Sequence, residues 1–202
     1  MQQTIMKLYD MELSGNCYKI RLFCALLGLD YQSVAVNLAA GEHKQPAFML
    51  LNPRCQIPVL EDDGVLVQDS TAILAYLARK YGEPHWLPLA ADELANVMLW
   101  LAVAQNELLY GLARARAVKK FSRPWNFEEC QALGKTGLTI MENHLHNHSW
   151  LANDQLSIAD IACYPYVALA AQCEINLGDY PGILQWMERI QNLPGYVGMP
   201  GI

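Results

Sequence analysis

Strand-like patterning stops abruptly at Gly82-Glu83-Pro84-His85-Trp86-Leu87-Pro88, a stretch punctuated by one glycine and two prolines. Before it, short apolar runs alternate with helical ones. Thr4 to Tyr9 opens with a strand-like run. Gly15 to Leu27 then sets Ile20, Phe23, Cys24 and Leu27 on one helix face, and Tyr31 to Val36 alternates again. Asp62-Asp63-Gly64 between Pro58-Val59-Leu60 and Val65-Leu66-Val67 is a hairpin signal, because Asp-Gly supplies the positive φ of a tight turn. Ser70 to Tyr81 reads as a helix. The order βαβ, short helical piece, hairpin, helix implies a mixed four-stranded sheet covered by helices. After the break, residues 91–118, 127–147, 157–172 and 181–192 all read as helical. The expected class is therefore α/β followed by all-α, with domains at residues 1–82 and 89–202.

The 202 residues suffice for a sizeable core without disulfide or metal. With 53% hydrophobic residues and a net charge of −6, the chain is neither disordered nor shaped as a basic nucleic-acid binder. The longest apolar stretch, Ile158 to Ala171, is interrupted by Asp160 and Pro165 and is too short to span a membrane. No basic region followed by an apolar run stands at Met1-Gln2-Gln3-Thr4, so no signal peptide is expected. Six cysteines without a CxxC pair suit reduced thiols in a cytoplasm. Ser157 with Asp160 three positions on, flanked by Leu156 and Ile161, reads as a capping box with a hydrophobic staple, a stability device without chemistry.

Three segments could carry chemistry. In Ser14-Gly15-Asn16-Cys17, Ser14 falls at a helix N-terminus, where free N–H groups and the helix dipole favour an anion. The spacing is that of a CxxC motif whose first cysteine is a hydroxyl. Such a serine can donate a hydrogen bond to another molecule's sulfur; it can also be a plain N-cap, and Cys17 a packing thiol. In Asn52-Pro53-Arg54-Cys55-Gln56-Ile57-Pro58, a proline at a strand start requires a cis bond or an edge position. A cis bond would let Ile57 offer its backbone to an extended peptide. In Asp69-Ser70-Thr71, an acid followed by serine opens a helix. That arrangement suits the zwitterionic end of an amino acid, or is ordinary capping.

In this order and spacing the segments resemble the cytosolic glutathione S-transferases. Ser14-Gly15-Asn16-Cys17 with Ile20-Arg21 looks like the serine motif of the bacterial theta- and zeta-like branch. Asn52-Pro53 through Ile57-Pro58-Val59-Leu60 is similar to the cis-proline segment, Asp69 to Leu74 to the γ-glutamyl segment, and Ser157 to Asp160 to the family's capping box. The resemblance implies a thioredoxin-like N-terminal domain (βαβαββα) and an all-helical C-terminal domain, usually in a cytoplasmic homodimer. It implies glutathione as co-substrate, a small electrophile as partner, and no metal, nucleic acid or membrane. Ser14 would bond the glutathione sulfur and Ile57 the cysteinyl backbone, with Pro58 cis behind it. Asp69 and Ser70 would hold the γ-glutamyl end, His43 or the neighbouring Lys44 the glycyl carboxylate, and Gln56 would lie beside the tripeptide. Asp69 stands where the family usually has Glu, one methylene longer, and Cys55 where many relatives carry Gly or a ligand-binding side chain.

The implied activity is conjugation of a glutathione thiolate to electrophiles, a detoxification chemistry. Asn106, Tyr110 and Arg114 are the candidate wall of the electrophile site. Arg114, Arg116, Lys119, Lys120 and Arg123 form an acid-free basic cluster, either a solvated helix end or an attractor of anionic substrates. Tyr164-Pro165-Tyr166 could place a ring near the cleft or simply pack. Two other functions remain open. One is a glutathione-dependent thiol–disulfide or peroxide reductase working through Cys17 or Cys55. The other is a non-catalytic module that binds proteins.

Overall fold

The computed structural model describes residues 5–202. Strand β1 (Lys7–Asp10) pairs in parallel with β2 (Gln32–Ala35) and antiparallel with β3 (Val59–Asp62), which turns through Asp63-Gly64 into β4 (Val65–Gln68). The order β2-β1-β3-β4 is the mixed sheet expected. Thr4, the expected start of β1, lies outside the described residues. Helix α1 (Gly15–Leu26) crosses from β1 to β2, the short α2 (Pro46–Leu51) precedes β3, and α3 (Ser70–Tyr81) follows β4. Because β3 lies between β1 and β4, Pro58 does not precede an edge strand, and the edge-strand explanation fails. The Ile57–Pro58 bond is cis.

The stretch that ends the strand pattern contains a 3-10 turn, Pro84–Trp86, and leads into helices. These are α4 (Ala91–Val103), a π-helical segment (Ala104–Ala113), α5 (Arg114–Phe121), α6 (Phe127–Leu145), α7 (Ile158–Ala168) and α8 (Pro181–Gln191). The continuous helix expected over 91–118 thus changes pitch midway. Its close crossing with α6 is made by two glycines: a Cβ on Gly111 would run into the Gly134 backbone. No described helix is long and apolar enough to cross a membrane.

Helix α7 is buried on every side and packs against both α1 and α3. Its capping box is formed: Ser157 Oγ accepts from Ala159 N at 3.2 Å, and Asp160 Oδ2 accepts from Ser157 N at 3.0 Å. Tyr164 and Tyr166 both point into this interior, so the tyrosines flanking Pro165 pack and do not line the cleft. Glu142 on α6 accepts from the Gly182 and Ile183 N–H groups, both at 2.9 Å, tying the start of α8 to the bundle.

One charged group sits inside the α1–α7 contact. Lys19 is fully buried, its Nζ lies 5.5 Å from the Tyr166 ring centroid, and it has no hydrogen-bond partner among the described residues. Burial pulls its pKa down to about 8, against the opposing charges of Cys163 and Asp69. A lysine whose folded value lies below its unfolded one binds its proton more weakly in the native state, so stability rises with pH between about 8 and 10.5. Below about 8 the burial penalty is complete. Lys19→Met is therefore expected to stabilise the fold by about 1–3 kcal/mol at pH 7, after allowing for the lost cation–π contact. Urea unfolding at pH 7 and pH 10 checks it: the gap between variant and wild type narrows at the higher pH, whereas a variant less stable at both values overturns it.

Candidate functional site

β1 ends at Asp10, and the chain turns so that Ser14 N donates to Met11 O at 2.9 Å. Ser14 then caps α1, its Oγ accepting from Cys17 N at 3.2 Å. Accepting that bond leaves the hydroxyl proton to be donated elsewhere. No acidic residue stands in the first turn of α1, so the positive end of the helix is not neutralised locally. Gly15 is required here: a Cβ would lie 2.6 Å from the Tyr166 ring, which backs the helix start. Arg21 pairs with Asp10 and donates to Glu12 O at 2.7 Å, fixing the turn from the other side.

The loop before β3 is organised by the buried Asn52. Its Nδ2 donates to Gln56 O at 2.7 Å, and its Oδ1 accepts from Arg54 N at 3.0 Å. Cys55 adopts φ 54°, the left-handed conformation that glycine takes most easily. Neither the N–H nor the C=O of Ile57 is engaged within the described residues, so this extended edge is free to pair with a ligand.

Asp69 caps α3 from a left-handed φ of 76°, a costly backbone state for a non-glycine residue that tends to be retained at functional sites. Its Oδ1 accepts from Thr71 N at 2.8 Å and from Gln105 Nε2 at 3.3 Å, and Oδ2 faces Arg54 Nη1 at 3.7 Å. Gln105 also donates to Thr71 Oγ1 at 2.6 Å, bracing the cap from the π-helical segment. Ser70 is buried beside it.

One cleft of about 660 Å³ gathers these groups. Its near wall carries Ser14, His43, Gln56, Ile57, Asp69 and Ser70, with Pro58 and Cys55 beside them. Its far wall carries Asn106, Tyr110 and Arg114 from the π-helical segment and α5, and Arg123 and Trp125 from the following loop. All the expected site residues meet there except Lys44, which is exposed and does not line the cleft. His43 does line it, with a buried Nδ1 that has no partner among the described residues. Partial burial first, then the Lys44 and Arg123 charges, lower its pKa, so the ring favours its neutral form near pH 7.

Cys17 is not in the cleft. It is fully buried, and burial, reinforced by the Asp10 charge, pushes its thiol up to about 12 over the opposing pull of the Ser14 hydroxyl. A thiol so placed cannot act as the working nucleophile of a reductase. Cys55, in contrast, borders the cleft, its Sγ 3.7 Å from Pro53 O. The basic cluster also divides. Arg116 is buried and bonded to Gln172, Lys119 pairs with Glu174 at 2.7 Å, Lys120 faces solvent, and only Arg114 and Arg123 reach the cleft. Arg54, Gln105 and Trp125 were not foreseen as site residues. Arg54 lies inside a quoted motif, whereas Gln105 and Trp125 carry no local signal.

Comparison with known proteins agrees with this architecture. The family model "Glutathione S-transferase, N-terminal domain" matches residues 8–85, and "Glutathione S-transferase, C-terminal domain" matches residues 115–194. A maleylacetoacetate isomerase from Pseudomonas aeruginosa is 33% identical over 88% of this chain and 87% of its own length. A disulfide-bond oxidoreductase, YfcG, from Escherichia coli is 31% identical over 89% and 87% respectively. The crystal structure of a glutathione S-transferase from Pseudomonas fluorescens superposes with a TM-score of 0.91 at 35% identity, covering 97% of this chain and 99% of the other. With the mixed sheet, the helical bundle and the cleft between them, these matches identify the chain as a member of the glutathione S-transferase family and an enzyme of the glutathione transferase type.

Proposed function

We propose that the cleft binds glutathione along its near wall, holds the thiol as a thiolate at Ser14, and delivers it to a small electrophile on the far wall. The observation that carries this reading is the Ser14 hydroxyl, free to donate at an un-neutralised helix N-terminus, in one cleft with the unpaired Ile57 backbone. Ile57 would pair with the cysteinyl backbone, as an added strand does. Asp69, pre-oriented by Thr71 and Gln105, would take the γ-glutamyl ammonium, and Ser70 with the α3 N-terminus its carboxylate. His43 would donate to the glycyl carboxylate, and Gln56 would flank the tripeptide. On this reading residues 1–82 bind glutathione and residues 89–202 supply the electrophile wall, in a cytoplasmic homodimer serving detoxification.

The energetics are sufficient. A thiol of pKa ≈ 8.5 is about 3% ionised at pH 7, and lowering that value by about two units requires about 2.7 kcal/mol. A hydrogen bond to a charged group supplies roughly 1.5–3 kcal/mol and the helix end roughly 0.3–1 kcal/mol more. Calorimetry at pH 7 should detect glutathione binding, and ultraviolet difference spectra of the complex should show a thiolate band. Absence of both overturns the assignment.

Cys55 at the cleft edge, together with similarity to a protein named as a disulfide-bond oxidoreductase, favours a second reading in which the same thiolate attacks one sulfur of a disulfide, expels the other as a thiolate and leaves a mixed disulfide with glutathione. Turnover of a small disulfide that exceeds conjugation of aryl halides would favour it.

A further inference from the structure

The far wall contains a guanidinium held in an unusual way. Arg114 Cζ lies 4.1 Å from the Tyr110 ring centroid and 4.9 Å from that of Trp125. Both rings are partly exposed at the cleft, and Arg114 itself is half-buried. The two rings pack against the guanidinium and limit its swing. Within the described residues its N–H donors meet no carboxylate and give no hydrogen bond. The other cationic groups of the cleft are differently engaged. Arg54 faces Asp69, and Arg123 of the far wall stands close enough to His43 to lower its pKa. Asn106, which carries no charge, spends one of its two amide N–H donors on Ala102 O at 2.9 Å.

The cleft is thus locally basic, with Arg54, Arg114 and Arg123 against Asp69, in a chain of net charge −6. An isolated basic wall in an acidic protein concentrates anions, and a planar guanidinium fork matches a carboxylate bidentately. The geometry points to an electrophilic substrate bearing a carboxylate, which the Arg114 fork would grip in its plane while Tyr110 and Trp125 hold the guanidinium and flank the substrate's apolar body. This rests on the glutathione-transferase reading above and names the substrate class of that same site.

Calorimetry with glutathione alone, S-(4-carboxybenzyl)glutathione and S-(4-carbamoylbenzyl)glutathione tests it. The two conjugates differ in charge at the far wall and share the same tripeptide. Wild type should bind the carboxylate about 10-fold more tightly than the amide, a preference expected of charge-assisted hydrogen bonds. Arg114→Met should bring the ratio to about 1, Arg114→Lys should retain part of it because the charge stays but the fork is lost, and Lys120→Met, outside the cleft, should leave it unchanged. The wild-type ratio should also shrink as salt rises. Equal binding of the two conjugates by wild type, or a preference that survives Arg114→Met, overturns the carboxylate assignment while leaving glutathione binding intact. Should Arg114→Met not fold, Arg114→Lys and the salt dependence decide: a ratio insensitive to both rejects the role. Failure of glutathione itself to bind overturns the underlying reading, and this inference with it.

Discussion

Ser14→Ala is expected to raise the pKa of enzyme-bound glutathione by up to about two units, since one charge-assisted hydrogen bond supplies roughly 1.5–3 kcal/mol of the anion's preference. At pH 6.5 this removes all but a few per cent of the thiolate. The remaining thiolate is more basic and hence intrinsically more nucleophilic, which offsets part of the loss. The net fall in kcat/KM at pH 6.5 is expected to be about 10- to 50-fold, and the gap should close as pH climbs past the variant's pKa. A pH–rate profile and an ultraviolet titration of the complex measure both quantities. Cys17→Ala serves as the opposite case. Its thiol is sealed behind the helix start, so the profile should keep its shape. A Ser14→Ala profile superimposable on wild type would remove Ser14 from the mechanism, and a collapse of activity confined to Cys17→Ala would restore the reductase alternative.

The contrast between these two neighbours shows where sequence is informative. Ser14, Ile57-Pro58 and Asp69-Ser70 were legible because each makes a local bargain with its own backbone: a cap, an X-Pro bond, a helix start. Such chemistry is written within a few residues. The fate of Cys17 depends on α7, whose Tyr166 seals the start of α1 from about 150 positions away in the chain. Lys19 is the extreme case, since its polarity alone places it outside and the α1–α7 contact places it inside. The change of pitch at Ala104–Ala113 was likewise illegible. Its residues read as ordinary apolar helix, and its tight crossing with α6 comes from Gly111 meeting Gly134 of that helix. The π-helical segment carries Gln105, which braces Asp69, and the cleft-facing Asn106 and Tyr110, in keeping with the tendency of π turns to occur at functional sites. The five clustered basic residues looked equivalent in sequence, and only tertiary packing separates the two that reach the cleft from the three that do not.

The acid of the α7 capping box does more than close the box. Asp160 is fully buried, and its carboxylate collects donors from three separate segments. Oδ1 accepts from Leu151 N at 3.0 Å and from Trp186 Nε1 on α8 at 2.8 Å, while Oδ2 accepts from Ser157 N at 3.0 Å. Burial pushes the carboxyl up to about 6 in spite of these bonds, so at pH 7 it is still chiefly the anion, an acceptor for every donor around it. Asp160→Ala strands three buried N–H groups at once. Each buried donor left without a partner costs about 1–3 kcal/mol, part of which is returned because the ion's own burial penalty disappears, and the expected loss is about 3–5 kcal/mol. Ser157→Ala, which removes a single cap acceptor, should cost about 1 kcal/mol. Asp160→Asn should fall between them, because its amide nitrogen must turn a donor toward a donor. Urea unfolding of the three variants gives the ranking, and a loss below about 1 kcal/mol for Asp160→Ala would show that the three segments hold together without it. The effect should also reach the site. Tyr166, two turns along α7, presses on Gly15, so a loosened α7 frees the backing of the helix start that presents Ser14. Asp160→Ala should therefore weaken glutathione binding under conditions where the variant is still folded, whereas Ser157→Ala should not.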